Sequence, residues 1–67
     1  MDVRKRFGTN VRRLRKQLGL SQEAFALEAG IDRTYVSGVE RGARNPTITV
    51  VEKLATALEV KLGDLLD

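Results

Sequence analysis

The side chains of this sequence are poorly equipped for covalent chemistry and better equipped for binding. The chain contains no Cys and no His. That removes thiolate nucleophiles, disulfides, the Ser-His-Asp arrangement and the commonest zinc ligands. Glu40 is a carboxylate on an otherwise apolar helical face, but no second acid, His or metal-ligand set accompanies it. General acid–base work would need such a partner. Neither an enzyme, a metal site nor a cofactor is expected.

A second set of residues suits a polyanion. Arg33 can bond guanine O6 and N7 together, and Thr34 can offer a hydroxyl to a base or contact a thymine methyl. Ser37 lies one turn further on and can bond a base or a phosphate. Arg41 shares that outward side. Gln22 stands at the first position of a helix, where unpaired amides attract anions and a Gln can bond a phosphate. Arg44 and Asn45 follow in a loop and can clamp backbone phosphates, Arg44 more strongly because it is a cation. Tyr35 can bond or stack at a nucleic-acid backbone, or pack its ring over the edge of the preceding helix. Taken alone, Arg33 and Thr34 read sooner as an ordinary solvated helix face, and Gln22 as readily as a plain helix-start residue. Their placement gives them meaning.

That placement comes from residues 21–42, which read as two short helices and a tight turn. Ser21 caps the first and Gly30 ends it; Asp32 caps the second and Gly42 ends it. Ile31, apolar inside the turn, points to a core beneath. Such a pair is a helix-turn-helix, a shape that can put its second helix in a DNA major groove. Phe25, Ala26 and Ala29 form the inner face of the first helix, and Val36, Val39 and Glu40 that of the second. Glu40 on that face needs a partner. Arg15 fits, beside the apolar stripe of the helix over about 3–18, so an Arg15–Glu40 ion pair is expected. Gly38 is costly, about 1 kcal/mol against Ala in mid-helix. Close approach of DNA or of a neighbouring helix would account for it.

The remaining elements supply a core. Asp2 can cap the first helix, whose stripe is Phe7, Val11, Leu14 and Leu18. A polar loop, GARNPT, leads to Thr47 as the cap of a helix over about 48–58 with the stripe Ile48, Val51, Leu54, Ala55 and Leu58. A last short helix covers about 61–66. No stretch alternates at period two for long enough to be a strand. The expected fold is all-α, five helices in one domain over residues 1–67. A domain this small buries only about 60% of its unfolded surface, so self-association is common.

Charge agrees with a polyanionic partner. Net charge is +3, but residues 1–19 hold seven basic residues and one acidic, or +6. Residues 20–45 come to −1 and residues 46–67 to −2. No apolar run approaches a membrane span, and no apolar segment follows the basic N-terminus as in a signal peptide, so cytoplasm is the expected compartment.

The run SQEAFALEAGIDRTYVSGVERG, followed by ARNPTITVVEKLATALEVKLGDLL, resembles the Xre-type helix-turn-helix domain of lambdoid repressors and Cro. The resemblance extends from about Phe7 to Leu66 and includes Ser21, Gln22, Ala26, Gly30, Ile31, Glu40, Gly42, Pro46, Leu54, Ala55 and Leu58. It implies a buried Arg15–Glu40 pair, a phosphate-binding Gln22, and base-reading positions at Arg33, Thr34, Ser37 and Gly38. Within that family DRTYVSGVERGARNPT is most similar to restriction–modification controller proteins, small dimers that regulate their own gene and the endonuclease gene. That resemblance implies DNA contacts from Arg33, Thr34, Tyr35 and Arg44. Lys61, where a Ser-type cap is usual, and Gly63 depart from the pattern near the expected dimer surface.

The function expected is a sequence-specific transcriptional regulator, a homodimer on a near-palindromic operator. Its dimer surface is expected at Val60, Leu62, Leu65 and Leu66, with Ile48 at the edge. Double-stranded DNA and a second copy of the chain are the expected partners, with RNA polymerase a further candidate. No small-molecule ligand and no membrane are expected. The rivals are an antitoxin-like or other stand-alone Xre regulator and, from another class, a protein-interaction module that has lost DNA binding.

Overall fold

The computed structural model describes residues 2–67. Those residues form the five helices α1 Val3–Gln17, α2 Gln22–Ala29, α3 Arg33–Glu40, α4 Ile48–Leu58 and α5 Leu62–Leu66, with no strand among them. Their starts follow from side chains that accept an otherwise unpaired backbone N–H, a device that stabilises a helix by about 1 kcal/mol. Asp2 accepts from the Arg4 N–H at 2.9 Å, Ser21 from Ala24 at 3.0 Å, Asp32 from Thr34 at 2.7 Å and Thr47 from Val50 at 3.3 Å. Lys61 offers α5 no such acceptor; instead the Asp64 carboxylate reaches back to the Lys61 N–H at 3.1 Å. The departure noted at Lys61 therefore costs α5 one half of a capping box and leaves the other half in place.

The first four helices end alike. Each closes with a paired set of carbonyl bonds, such as Gly42 N–H to Val39 and Ala43 N–H to Gly38 after α3. This Schellman arrangement needs a left-handed residue just past the helix. Gly19, Gly30 and Gly42 fill that place in the first three, and Glu59, at φ 60°, fills it after α4.

One cluster forms the core: Phe7, Val11, Phe25, Ala26, Ala29, Val36, Val39, Val51, Leu54, Ala55, Leu58 and Leu65. Phe25, Leu54 and Leu65 are among its fully buried side chains, each burial contributing roughly 1.5–3 kcal/mol. α3 packs on α1 and α2, and α5 packs on α1 and α4. Ile31 is half-buried against the cluster, as its place in the turn predicts.

Three apolar expectations need correction. Leu18 is exposed, because α1 stops at Gln17 and the turn through Gly19 directs Leu20 to the core in its place. Ile48 is exposed rather than part of the α4 stripe, since it occupies the first helical position, ahead of the packed turns. Leu65, expected at a dimer surface, is fully buried between α5 and the rest of the chain's own core.

Candidate nucleic-acid interface

α3 is fastened from its inner side. The Glu40 carboxylate accepts from Arg15 twice, Nε at 2.6 Å and Nη2 at 3.0 Å. Arg15 Nη1 donates to the Leu20 carbonyl at 2.7 Å. The Arg15 and Glu40 side chains are only 9% and 4% exposed. A buried ion pair is tolerable when its remaining donors and acceptors are satisfied, and here they are. The expected Arg15–Glu40 pair is thus present, and it ties α1, the turn after it and the end of α3 into one joint. Gly8 completes the joint. A Cβ on Gly8 would lie 2.2 Å from the Val39 carbonyl oxygen and 2.9 Å from that of Glu40. Only a bare Cα lets α1 approach the α3 backbone so closely.

The outer side of α3 is open. Arg33 and Thr34 are exposed on its first turn. Asp32 caps that turn through the Thr34 N–H and also accepts the Thr34 hydroxyl. These bonds hold the Asp32 carboxyl below its ordinary range, the hydroxyl bond contributing most and the amide bond next. The cap is therefore complete above the ordinary carboxylate range and is lost as pH falls through the lowered value. Ser37 is half-buried one turn further along. Arg41 is the residue that follows α3 rather than part of it, and its Nε donates to the Ser37 carbonyl at 3.3 Å.

The loop residues differ from a simple clamp. Arg44 is exposed, and its Cζ stands 5.3 Å from the centroid of the half-buried Tyr35 ring. A cation over an aromatic face is an attractive pairing. Asn45 is exposed. Gln22, expected to reach phosphate, turns its Nε2 to Glu40 Oε1 at 3.1 Å. One of its amide hydrogens is thus committed to the α1–α3 joint, which leaves its other hydrogen and its oxygen for an outside partner. Gly38, expected to face outward, is buried, and the atoms nearest to it belong to Arg44. No helix among the described residues is long and apolar enough to cross a membrane.

Two residues that position the elements escape a reading by apolar spacing. Gly8 lies three residues before Val11 and seven before Arg15, a register that puts it on the α3-facing side of α1. Asn10 is buried, 9% exposed, and its Nδ2 donates to the Leu65 carbonyl at 3.0 Å and the Asp67 carbonyl at 3.2 Å. Its place between Phe7 and Leu14 on the buried stripe is the signal that could have found it.

Comparison with known proteins agrees with this geometry. A helix-turn-helix family model (HTH_3) matches residues 11–65. The transcriptional regulator y4dJ of Sinorhizobium fredii is 45% identical over 65 residues, covering 97% of this chain and 84% of that one. The control protein C.MunI of a Mycoplasma species is 42% identical over 65 residues, covering 96% of this chain and 88% of that one. The crystal structure of the restriction–modification controller protein C.AhdI from Aeromonas hydrophila superposes with a TM-score of 0.90 at 48% identity, covering 92% of this chain and 94% of that one. The chain belongs to the Xre-type helix-turn-helix family, a fold of DNA-binding transcriptional regulators rather than enzymes, and within it stands close to the restriction–modification controller proteins.

Proposed function

We propose that the chain acts as a homodimeric restriction–modification controller that binds a near-palindromic operator and regulates its own gene and the endonuclease gene. The observation that carries the reading is the exposed Arg33–Thr34 pair on the first turn of a helix whose other side is locked by the buried Arg15–Glu40 pair. Recognition helices touch base edges from that turn. Arg33, Thr34 and Ser37 would read bases. Gln22, Tyr35, Arg41, Arg44 and Asn45 would hold the phosphates on either side. Regulation at a promoter makes RNA polymerase the further macromolecular partner.

Self-association draws on exposed apolar side chains near the C-terminus. Ile48, Leu62 and Leu66 are 72%, 38% and 48% exposed, and Val60 is half-buried. A twofold pairing there would present two α3 helices to half-sites about 34 Å apart. With Leu65 committed to the core, these four residues are the proposed surface.

The test is binding to DNA from upstream of the chain's own gene, with its salt dependence. Affinity should fall by a log–log slope of about −0.9 per neutralised phosphate. Arg33→Ala should cost about 1–3 kcal/mol and relax specificity at one base step. Equal loss on every sequence would demote Arg33 to a phosphate contact. Sedimentation of a monomer, free and on DNA, would remove the dimer. The likeness to y4dJ keeps a second reading in view, a stand-alone regulator outside restriction–modification. A neighbouring methyltransferase and endonuclease gene would decide against it, and a co-purifying small toxin would favour an antitoxin.

A further inference from the structure

We propose that Gly38 is a positioning residue for DNA binding: its missing side chain forms the seat on which Arg44 lies, so a loop arginine covers the part of α3 that a side chain at position 38 would otherwise occupy. The proposal rests on the reading that α3 faces DNA.

The chain path brings the two residues together. After α3 the Gly42 N–H bonds the Val39 carbonyl at 3.0 Å and the Ala43 N–H bonds the Gly38 carbonyl at 2.9 Å. That closure, made possible by Gly42 at φ 77°, folds the chain back so that residue 44 leaves beside position 38. The Arg44 stem then lies across the bare Cα. A Cβ on Gly38 would stand 2.7 Å from Arg44 Cγ, 3.2 Å from Nε and 3.5 Å from Cδ. No atom of a neighbouring helix is as near. What explains the helix-weakening glycine is therefore the loop arginine rather than helix packing. Beyond the seat, the guanidinium reaches the face of Tyr35. The two ion pairs among the described residues are Arg4–Asp2 and Arg15–Glu40, so the Arg44 charge is left for an outside anion. A cation held by its stem and by a ring loses less freedom on binding than a free loop side chain, which is the advantage of preorganisation.

Gly38→Ala separates this role from a structural one. Alanine is the better helix former, and the obstacle it meets is a flexible side chain on the surface. The nearest atom is Arg44 Cγ, which clears the new methyl by rotation of that side chain about χ1, so the variant should stay folded with a thermal midpoint close to that of the unaltered chain. Arg44 must swing away. On DNA from upstream of the chain's own gene, Gly38→Ala and Arg44→Ala should each bind about tenfold more weakly. The double variant should also be about tenfold weaker, rather than about a hundredfold, since both changes remove one contact. Each should lower the salt slope by about 0.9. Losses that multiply, as they would if DNA itself approached the Gly38 Cα, overturn the proposal, and so does unaltered binding by Gly38→Ala. A second measurement needs no DNA. The Gly38 Hα and Arg44 Hγ resonances should be linked by a nuclear Overhauser effect in the free chain, since a Cβ on Gly38 would stand 2.7 Å from Arg44 Cγ. Its absence in the unaltered chain would overturn the seat. Absence of DNA binding by the unaltered chain would instead remove the reading beneath it, and the resonances would still judge the seat.

Discussion

Where α3 meets α1 the molecule uses charge and backbone contact; where α5 meets α1 it uses one leucine and one asparagine. The α1–α3 joint has a doubly bonded Arg15–Glu40 pair, a third bond to Leu20, a fourth from Gln22, and a glycine that lets the two helices touch. The seat of α5 has the buried Leu65 and the two Asn10 bonds, under a helix of five residues. The first joint sets the direction in which Arg33 and Thr34 point. Under the proposed function, an error of an ångström there would displace every base contact together. The second joint sets an apolar patch, where shape matters less finely. The geometry is most heavily determined where misplacement would do most harm.

Three substitutions probe that contrast, in falling order of effect. Glu40→Ala leaves the Arg15 cation buried without its partner, and should lower the unfolding free energy by about 3–5 kcal/mol in urea melts. A loss below about 1 kcal/mol would mean that the pair is not what fastens α3. Asn10→Ala withdraws one donor from the Leu65 and Asp67 carbonyls, the second of these bonds only partly buried. The expected loss is about 1–2 kcal/mol, with little change in helical circular dichroism because α5 is so short. A loss as large as that of Glu40→Ala would erase the contrast. Glu59→Gly relieves a left-handed residue in the turn leading to α5 and should raise stability by about 0.5–1 kcal/mol. Unchanged or lower stability would show that the turn is not under strain.

Much of this was legible from residue types. Ser21, Asp32 and Thr47 mark helix starts because a short side-chain oxygen can do little else as well in that position. Glu40 on an apolar face calls for a cation, and Arg15, beside the apolar stripe of α1, is the one that meets it. Periodicity states which face is inward but not what the face meets. For that reason Gly8 and Asn10, on the inward face of α1 but not apolar, are marked only by their position on that face and not by their residue type. Leu65 and Leu66 are adjacent in sequence and chemically identical, yet one is fully buried and the other 48% exposed. Only the docking of α5 distinguishes them. Residue type alone points Gln22 to a phosphate, and Gly38 to a close approach of either DNA or a neighbouring helix. Their nearest neighbours are Glu40 and Arg44, which come close only after the chain turns at Gly42.

The Asn10 bonds have a consequence in time as well as in space. Asn10 and Leu65 are separated by 55 residues, so their bond closes nearly the whole chain into a loop. Closing a loop costs entropy that grows with its length, and a five-residue segment cannot hold helical form by itself. α5 should therefore settle last in folding and detach first, while α1 to α4 stay assembled. Its amides would exchange with solvent through that local opening, faster than those of the interior helices. The C-terminal segment is in effect a latch on a body that is already built.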